Sequence, residues 1–237
     1  MPRARLASLA LAASLAACAG SDPAPQGGVL LSDGMTGSNG LSIRVTSIRE
    51  RRFLTTARQQ RDFSCGSAVL ATLLTHHYAM PTTEDEVFRD MIASGDRIRI
   101  ERDGFSMLDM QRYLGSRGLR AAGYRIPLDR MQEVRVPAVA LINRDGYRHF
   151  VVLRGVEADR VLISDPSTGA RTMRRDAFEE QWNGVLFLVT DRLSMAQATF
   201  GRPEDWDVQP RAPGRSVRDV YEALPTGTFG TLDRRYF

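Results

Sequence analysis

The chain contains no lysine, and all 32 of its basic residues are arginine. Every basic charge is therefore permanent and of the kind that suits carboxylate and phosphate groups. Two cysteines, Cys18 and Cys65, are too few for a disulfide framework. Three histidines leave little material for a metal site. No apolar run reaches the about 20 residues of an ordinary membrane span. No GxxxxGK motif followed by Ser or Thr is present, which argues against an ATPase domain. There are no internal repeats. The net charge of +4 over 237 residues is too mild for a nucleic-acid signature and describes a basic surface.

What is present is ordinary globular composition, 43% hydrophobic, enough for one good core with extensions. Residues 1–17 carry Arg3 and Arg5 and then an Ala/Leu run, which is the pattern of a secretory signal. The run ends in Leu15-Ala16-Ala17-Cys18. That ending resembles the bacterial lipoprotein signal, in which the cysteine is lipidated. The resemblance implies a chain anchored through Cys18 on the periplasmic face of a bacterial envelope. Ala19 after the cysteine favours the outer membrane. Residues 18–40, rich in Gly, Ser, Pro and Asp, are expected to be a flexible tether. The Gly27-Gly28 pair within them is either linker or a processing site.

Residues 41–190 are expected to form one domain. Leu41, Ile43 and Val45 alternate as in a strand. Residues 65–78 form an apolar helix starting at or near Cys65, with Asp62 and Ser64 as cap candidates. Thr83–Glu86 and Ser106–Asp109 are capping boxes, each opening a helix. Gly115 or Gly118 closes the second. Between them, Arg97–Glu101 alternates like a short exposed strand. After residue 120 strands dominate: Val136–Ile142, a turn at Asn143–Gly146, then a hairpin of His149–Val156 and Arg160–Ser164. A short helix from Asp176 to Trp182 follows, and Val185–Val189 closes the sheet. Helices first and an antiparallel sheet afterwards predict an α+β fold. Residues 191–237 carry four prolines and no second core. They are expected to be an extension, with a helix over 216–224, that serves a secretion-machinery partner.

The chemistry centres on Cys65. A helix N-terminus favours the thiolate, which is the nucleophilic form. Gly66 behind it would let a substrate backbone approach closely. The base must be a histidine. His76 and His77 share the helix with Cys65 and stand roughly 17 Å from it at 1.5 Å rise per residue. Two neighbouring histidines without a third ligand are also a poor metal site. That leaves His149. Asp165 ends the next strand, and a hairpin turning near Ala158 would set it diagonally beside His149, within reach to orient the ring. The Cys65 backbone N–H is one oxyanion donor, with the amide of Gln59 or Gln60 as the second. An arginine cluster (Arg49, Arg51, Arg52, Arg58, Arg61) precedes Cys65. It is read as a solvated strand face, the sharper alternative being a contact for an acidic substrate or an anionic membrane.

The stretches Gln59–Ala68, Gly146–Val152, Val161–Gly169 and Phe178–Leu186 together resemble peptidase family C39 over about residues 41–190. The resemblance implies a papain-like fold and a Cys65-His149-Asp165 triad. It places the oxyanion glutamine six residues before the cysteine, at Gln59. It implies a polypeptide substrate, in the best-known members a leader cut after Gly-Gly, and no cofactor. Those members are fused to exporters; this chain looks more like the free-standing forms. Two rivals keep the same residues. One is a non-catalytic C39-like module assisting secretion. The other is acyl transfer or cell-wall amide hydrolysis on the same triad.

Overall fold

The computed structural model describes residues 28–31, 41–44, 47–144 and 146–208. The chain divides into two compact units, 1–46 and 47–237. In the first, β1 (Gly28–Leu31) pairs antiparallel with β2 (Leu41–Arg44). The strand expected at Leu41 is present. Within the expected tether over 18–40, Gly28–Leu31 forms a strand, and the rest of the tether lies outside the described residues. Cys18, the signal segment and Gly27 lie outside the described residues, as does 209–237 with the helix expected there.

The second unit opens with α1 (Ile48–Arg52), capped by Ser47 and Glu50. Helix α2 (Cys65–His77) is buried along almost its whole length. Its Ala/Leu surface packs on every side, which suits a helix held inside the domain. Helix α3 (Glu84–Ser94) starts at the expected box: Thr83 Oγ1 accepts from Glu86 N, and Glu86 Oε2 accepts from Thr83 N at 2.8 Å. Thr83→Ala removes the hydroxyl that caps Glu86 N, leaves the backbone N–H to Glu86 in place, and is expected to cost about 1 kcal/mol in a denaturant titration. An unchanged midpoint would show the cap idle.

Arg97–Glu101 is not a strand but the body of α4 (Arg97–Asp103). Asp96 caps it, and Arg97 pairs with Glu101 at i,i+4. The alternation misled because the two isoleucines do not share a face: Ile100 is buried and Ile98 is 80% exposed. Helix α5 (Met107–Ser116) starts at the Ser106/Asp109 box. It stops at Gly118, whose φ of +74° suits glycine. Leu119 N donates to Leu114 O and Gly118 N to Gly115 O, closing the helix end as a Schellman motif.

Six antiparallel strands follow, interrupted by α6 (Leu128–Val134) and α7 (Arg175–Gln181). They are β3 (Ala121–Tyr124), β4 (Ala138–Arg144), β5 (Tyr147–Val156), β6 (Arg160–Asp165), β7 (Gly169–Arg174) and β8 (Trp182–Val189). Their order is β3-β8-β4-β5-β6-β7. Val185–Val189 therefore does not close the sheet. β8 lies between β4 and β3, and β3 and β7 are the edges. Residues His149–Val156 are buried consecutively, so both faces of β5 are covered. Helix α2 packs on β5 and β6, which brings the start of α2 toward the hairpin.

The domain does not end at 190. Helix α8 (Leu193–Gln197) and a 3₁₀ turn (Pro203–Trp206) lie back on it. Ala196 and Phe200 enter the same core, and Asp205 is buried. The expected extension begins only beyond this segment. Two apolar anchors among many polar residues were too sparse to show as periodicity.

Candidate active site

Cys65 is the first residue of α2 and is 6% exposed. Ser64, the cap residue, makes no side-chain cap; its hydroxyl closes a ring on Arg61 instead, donating to Arg61 O and accepting from Arg61 N. The cap residue thus leaves the positive end of the helix dipole uncompensated by a side-chain oxygen, beside the thiol. Gly66 has a different task from the one expected. A Cβ there would fall 2.7 Å from Phe105 Cβ, so the glycine lets α2 touch the loop ahead of α5.

Cys65 lines a cleft of about 660 Å³. Phe63, Phe105, Met107, Leu141 and Phe150 supply apolar walls, and α4 supplies a charged rim. Phe88 packs against both Phe63 and Phe105, tilted to the first and edge-on to the second, at ring separations of 5.9 and 5.7 Å.

His149, on β5, is 2% exposed, and Asp165, at the end of β6, is fully buried. His149 Nε2 and Asp165 Oδ1 are 2.8 Å apart. The hairpin explains this closeness. Val152 pairs with Ser164, so continuing the register sets His149 and Asp165 diagonally across the ladder. The other ring nitrogen, Nδ1, is buried and closes no conventional hydrogen bond; Cys65 acts on the ring as a second polar partner.

Burial is the largest single influence on His149 and lowers its pKa. The hydrogen bonds and charges of Asp165 and Cys65 outweigh it and take the ring up to about 9. Burial also pushes the Asp165 carboxyl up, but His149 and Ser167 hold it well below the usual carboxylate range. Ser167 donates twice to Oδ1, from N at 2.9 Å and from Oγ at 2.7 Å. Arg171 and Arg144 face Oδ2 at 3.4 and 3.8 Å. At neutral pH the pair is an imidazolium and a carboxylate.

Gln59 is half-buried. Its N–H donates to Pro166 O at 3.1 Å, and its side-chain Oε1 is buried without a partner. Gln60 is exposed. His76 and His77 sit at the far end of α2. His77 Nδ1 contacts Thr199 Oγ1 at 2.7 Å, and burial, foremost, lowers its pKa to about 3. Among the described residues no cluster of His, Cys, Asp or Glu is arranged to hold a metal. Arg49, Arg51 and Arg52 lie on helix α1 and not on a strand. Arg58 and Arg61 cover the rings of Phe53 and Phe88 at 4.1 and 3.9 Å.

The model of the peptidase C39 family matches residues 54–194. The chain belongs to the peptidase C39 family. This C39 chain is 46% identical over 146 residues to the "Probable functional amyloid protease FapD" of Pseudomonas fluorescens. It is 43% identical over 146 residues to the protein of the same name from Pseudomonas aeruginosa. Each match covers 62% of this chain and 65% of the relative, so the chain spans about two thirds, and not the whole, of their length. Among solved structures it is similar to a double glycine motif protease from an AMS/PCAT transporter in complex with the leader peptide. That similarity has 26% identity and a TM-score of 0.48, and covers 56% of this chain and 89% of that one.

Three residues around the His149–Asp165 pair escaped the sequence reading. Tyr147 Oη donates to Asp62 O at 2.8 Å, bridging the hairpin to the loop before Cys65, and its ring stacks on His149 at 6.0 Å. Its position two residues before His149 on one strand was the available signal, since i and i+2 share a face. Ser167 follows Asp165-Pro166 and was equally local. Arg171 reaches Asp165 from β7, an edge strand with too few apolar residues to be recognised.

Proposed function

We propose that the chain is a cysteine peptidase that cuts a secreted or envelope polypeptide after a Gly-Gly pair. The reading is carried by one observation: the buried His149–Asp165 pair lies beside a cysteine at an uncapped helix start, on the wall of an open cleft. The names of the two Pseudomonas relatives support a secreted amyloid-forming polypeptide as the substrate.

In this mechanism the Cys65 thiolate attacks the scissile carbonyl carbon. The carbonyl oxygen becomes an oxyanion held by the Cys65 N–H and the Gln59 amide. His149 gives its Nδ1 proton to the leaving amine as the C–N bond breaks, leaving a thioester on Cys65. Water then attacks the thioester with His149 as base; collapse expels the Cys65 thiolate, releases a carboxylic acid and restores the thiolate–imidazolium pair. Asp165 fixes the ring through Nε2 and stabilises its charged form. No step calls for a cofactor.

The ending Leu15-Ala16-Ala17-Cys18 supports an N-terminal lipid anchor on the periplasmic face of a bacterial envelope, at the outer membrane. The segment over 209–237 is assigned to a secretion partner in this reading.

The test uses the full chain, a synthetic polypeptide with an internal Gly-Gly pair, and water enriched in oxygen-18. The expected result is a cut after the second glycine, with one heavy oxygen in the new carboxylate. Joining of the acyl fragment to an added amine, without heavy oxygen, would mean acyl transfer. An uncut polypeptide that stays bound would mean a binding module.

A further inference from the structure

Arg154 lies inside the domain, 1% exposed, on the strand that carries His149. A guanidinium at that depth is costly unless its donors are met and its charge is matched. Its partners come from three separate parts of the chain. Nη1 donates to Thr55 Oγ1 at 2.6 Å and to Ser164 Oγ at 3.2 Å. Nη2 stands 2.8 Å from Asp205 Oδ1. The register of β5 against β6 shifts between Leu153 and Gly155, which takes Arg154 out of the ladder. Its carbonyl accepts instead from Gly201 N at 2.7 Å.

Two of the three partners lead to parts of the site. Thr55 lies in the irregular segment that leads to Gln59. Ser164 immediately precedes Asp165. Asp205 belongs to the C-terminal segment and is itself gripped by Arg202, at 2.8 and 3.0 Å. The segment over 53–59 has no helix or strand of its own to fix it. It is pinned at Thr55 by Arg154, at Ala57 by Thr72 Oγ1 (2.9 Å) and at Gln59 by Pro166 O (3.1 Å). Two of these three pins lead to the strand end that holds Asp165.

We infer that Arg154 is a positioning residue that holds the Gln59 segment in register with the Asp165 strand, with the C-terminal segment supplying its counter-ion through Asp205. The inference rests on the proposed roles of Cys65 and Gln59. It gives residues 193–206 a share in the site, although none of them lines the cleft.

Removing Arg154 or Asp205 would strand a buried charge and risk unfolding, so the test acts on the hydroxyl at the other end. In the full chain, Thr55→Val and Thr55→Ser are compared by two readouts. One is inhibition by a short peptide aldehyde ending in Gly-glycinal, whose adduct on Cys65 places an oxyanion. The other is alkylation of Cys65 by iodoacetamide, which needs the thiolate but no oxyanion donor. Thr55→Val is expected to weaken the aldehyde by about tenfold, less than the hundredfold or more for losing an oxyanion donor outright. It is expected to leave alkylation within a factor of two and to lower the melting temperature by about 2–4 °C, the cost of one hydrogen bond lost to a buried charge, and Thr55→Ser to restore both binding and stability. Wild-type aldehyde affinity in Thr55→Val, or an equal loss in both readouts, overturns the inference. A wild-type chain that alkylates but forms no aldehyde adduct defeats the peptidase reading itself, and the inference falls with it.

Discussion

Replacing Cys65 by alanine is expected to abolish peptide cleavage while leaving a folded, substrate-binding protein. The argument has two halves. Chemically, the other hydroxyls of the cleft wall are engaged elsewhere, Tyr147 Oη donating to Asp62 O and Ser106 Oγ to Asp109, so the bond-forming step has no substitute. Loss of a triad nucleophile costs about 10⁶-fold in turnover, because the remaining members act only through it. Structurally, the change removes one sulfur from a helix start packed against Phe105. The lost burial corresponds to about 0.8 kcal/mol, that of a methylene-sized group. Cys65→Ser keeps the shape and substitutes a hydroxyl that His149 must deprotonate outright, and it is expected to fall nearly as far. Turnover of the Gly-Gly polypeptide, alongside thermal melting, separates the two halves. Cleavage by the alanine variant at even a hundredth of the wild-type rate would remove Cys65 from the mechanism.

Asp165→Asn is expected to lower turnover by up to about 10⁴-fold, the size seen when an amide replaces the carboxylate of a His-orienting pair. Asp165 raises the His149 pKa through a 2.8 Å hydrogen bond and through its charge. Without that charge, burial dominates and the ring becomes neutral near pH 7. The same substitution also leaves Arg171 and Arg144 facing an uncharged group. The effect on stability has a definite sign. The folded pKa of His149, about 9, lies above its ordinary 6.5. Its contribution is therefore complete below pH 6.5 and is lost as pH rises through about 9. The Asp165 carboxyl is held below its ordinary 3.8, so its contribution is present above that value and is lost as pH falls. Melting curves of the wild type should decline between pH 6.5 and about 9, and those of Asp165→Asn should lack that decline. Parallel curves would show that the His149–Asp165 bond does not set the protonation of the ring.

The parts of the molecule legible in the sequence were those where one local rule decides. Helix α2 was readable because no breaker follows Gly66 as far as His77. The diagonal of His149 and Asp165 follows from a turn placed near Ala158; the strands in fact leave the turn paired Val156 to Val161, and the bulge between Leu153 and Gly155 restores the register that sets both side chains on one face. The parts that were not legible depend on what a segment packs against. Arg97–Glu101 has the alternation of a strand and the cap of a helix, and the single buried Ile100 decides for the helix. β7 (GARTMR) carries almost no apolar signal, because an edge strand needs only a neighbour's backbone. β3 is only four residues long, and its place beside β8 removed β8 from the edge. Arg154 would count on composition as surface charge. Its burial follows from Asp205 returning to it from fifty residues downstream, and no local window contains both.

The helix start that carries Cys65 and the hairpin that carries His149 and Asp165 belong to different layers. The histidine and aspartate are near neighbours in the chain and meet within one hairpin. The cysteine reaches them only because α2 docks on β5. Its thiol is thus also a gauge of tertiary assembly. An intermediate with its hairpin formed and α2 undocked would hold an intact His–Asp pair beside an ordinary thiol. The time at which Cys65 becomes fast-reacting during refolding would mark the moment the two layers close.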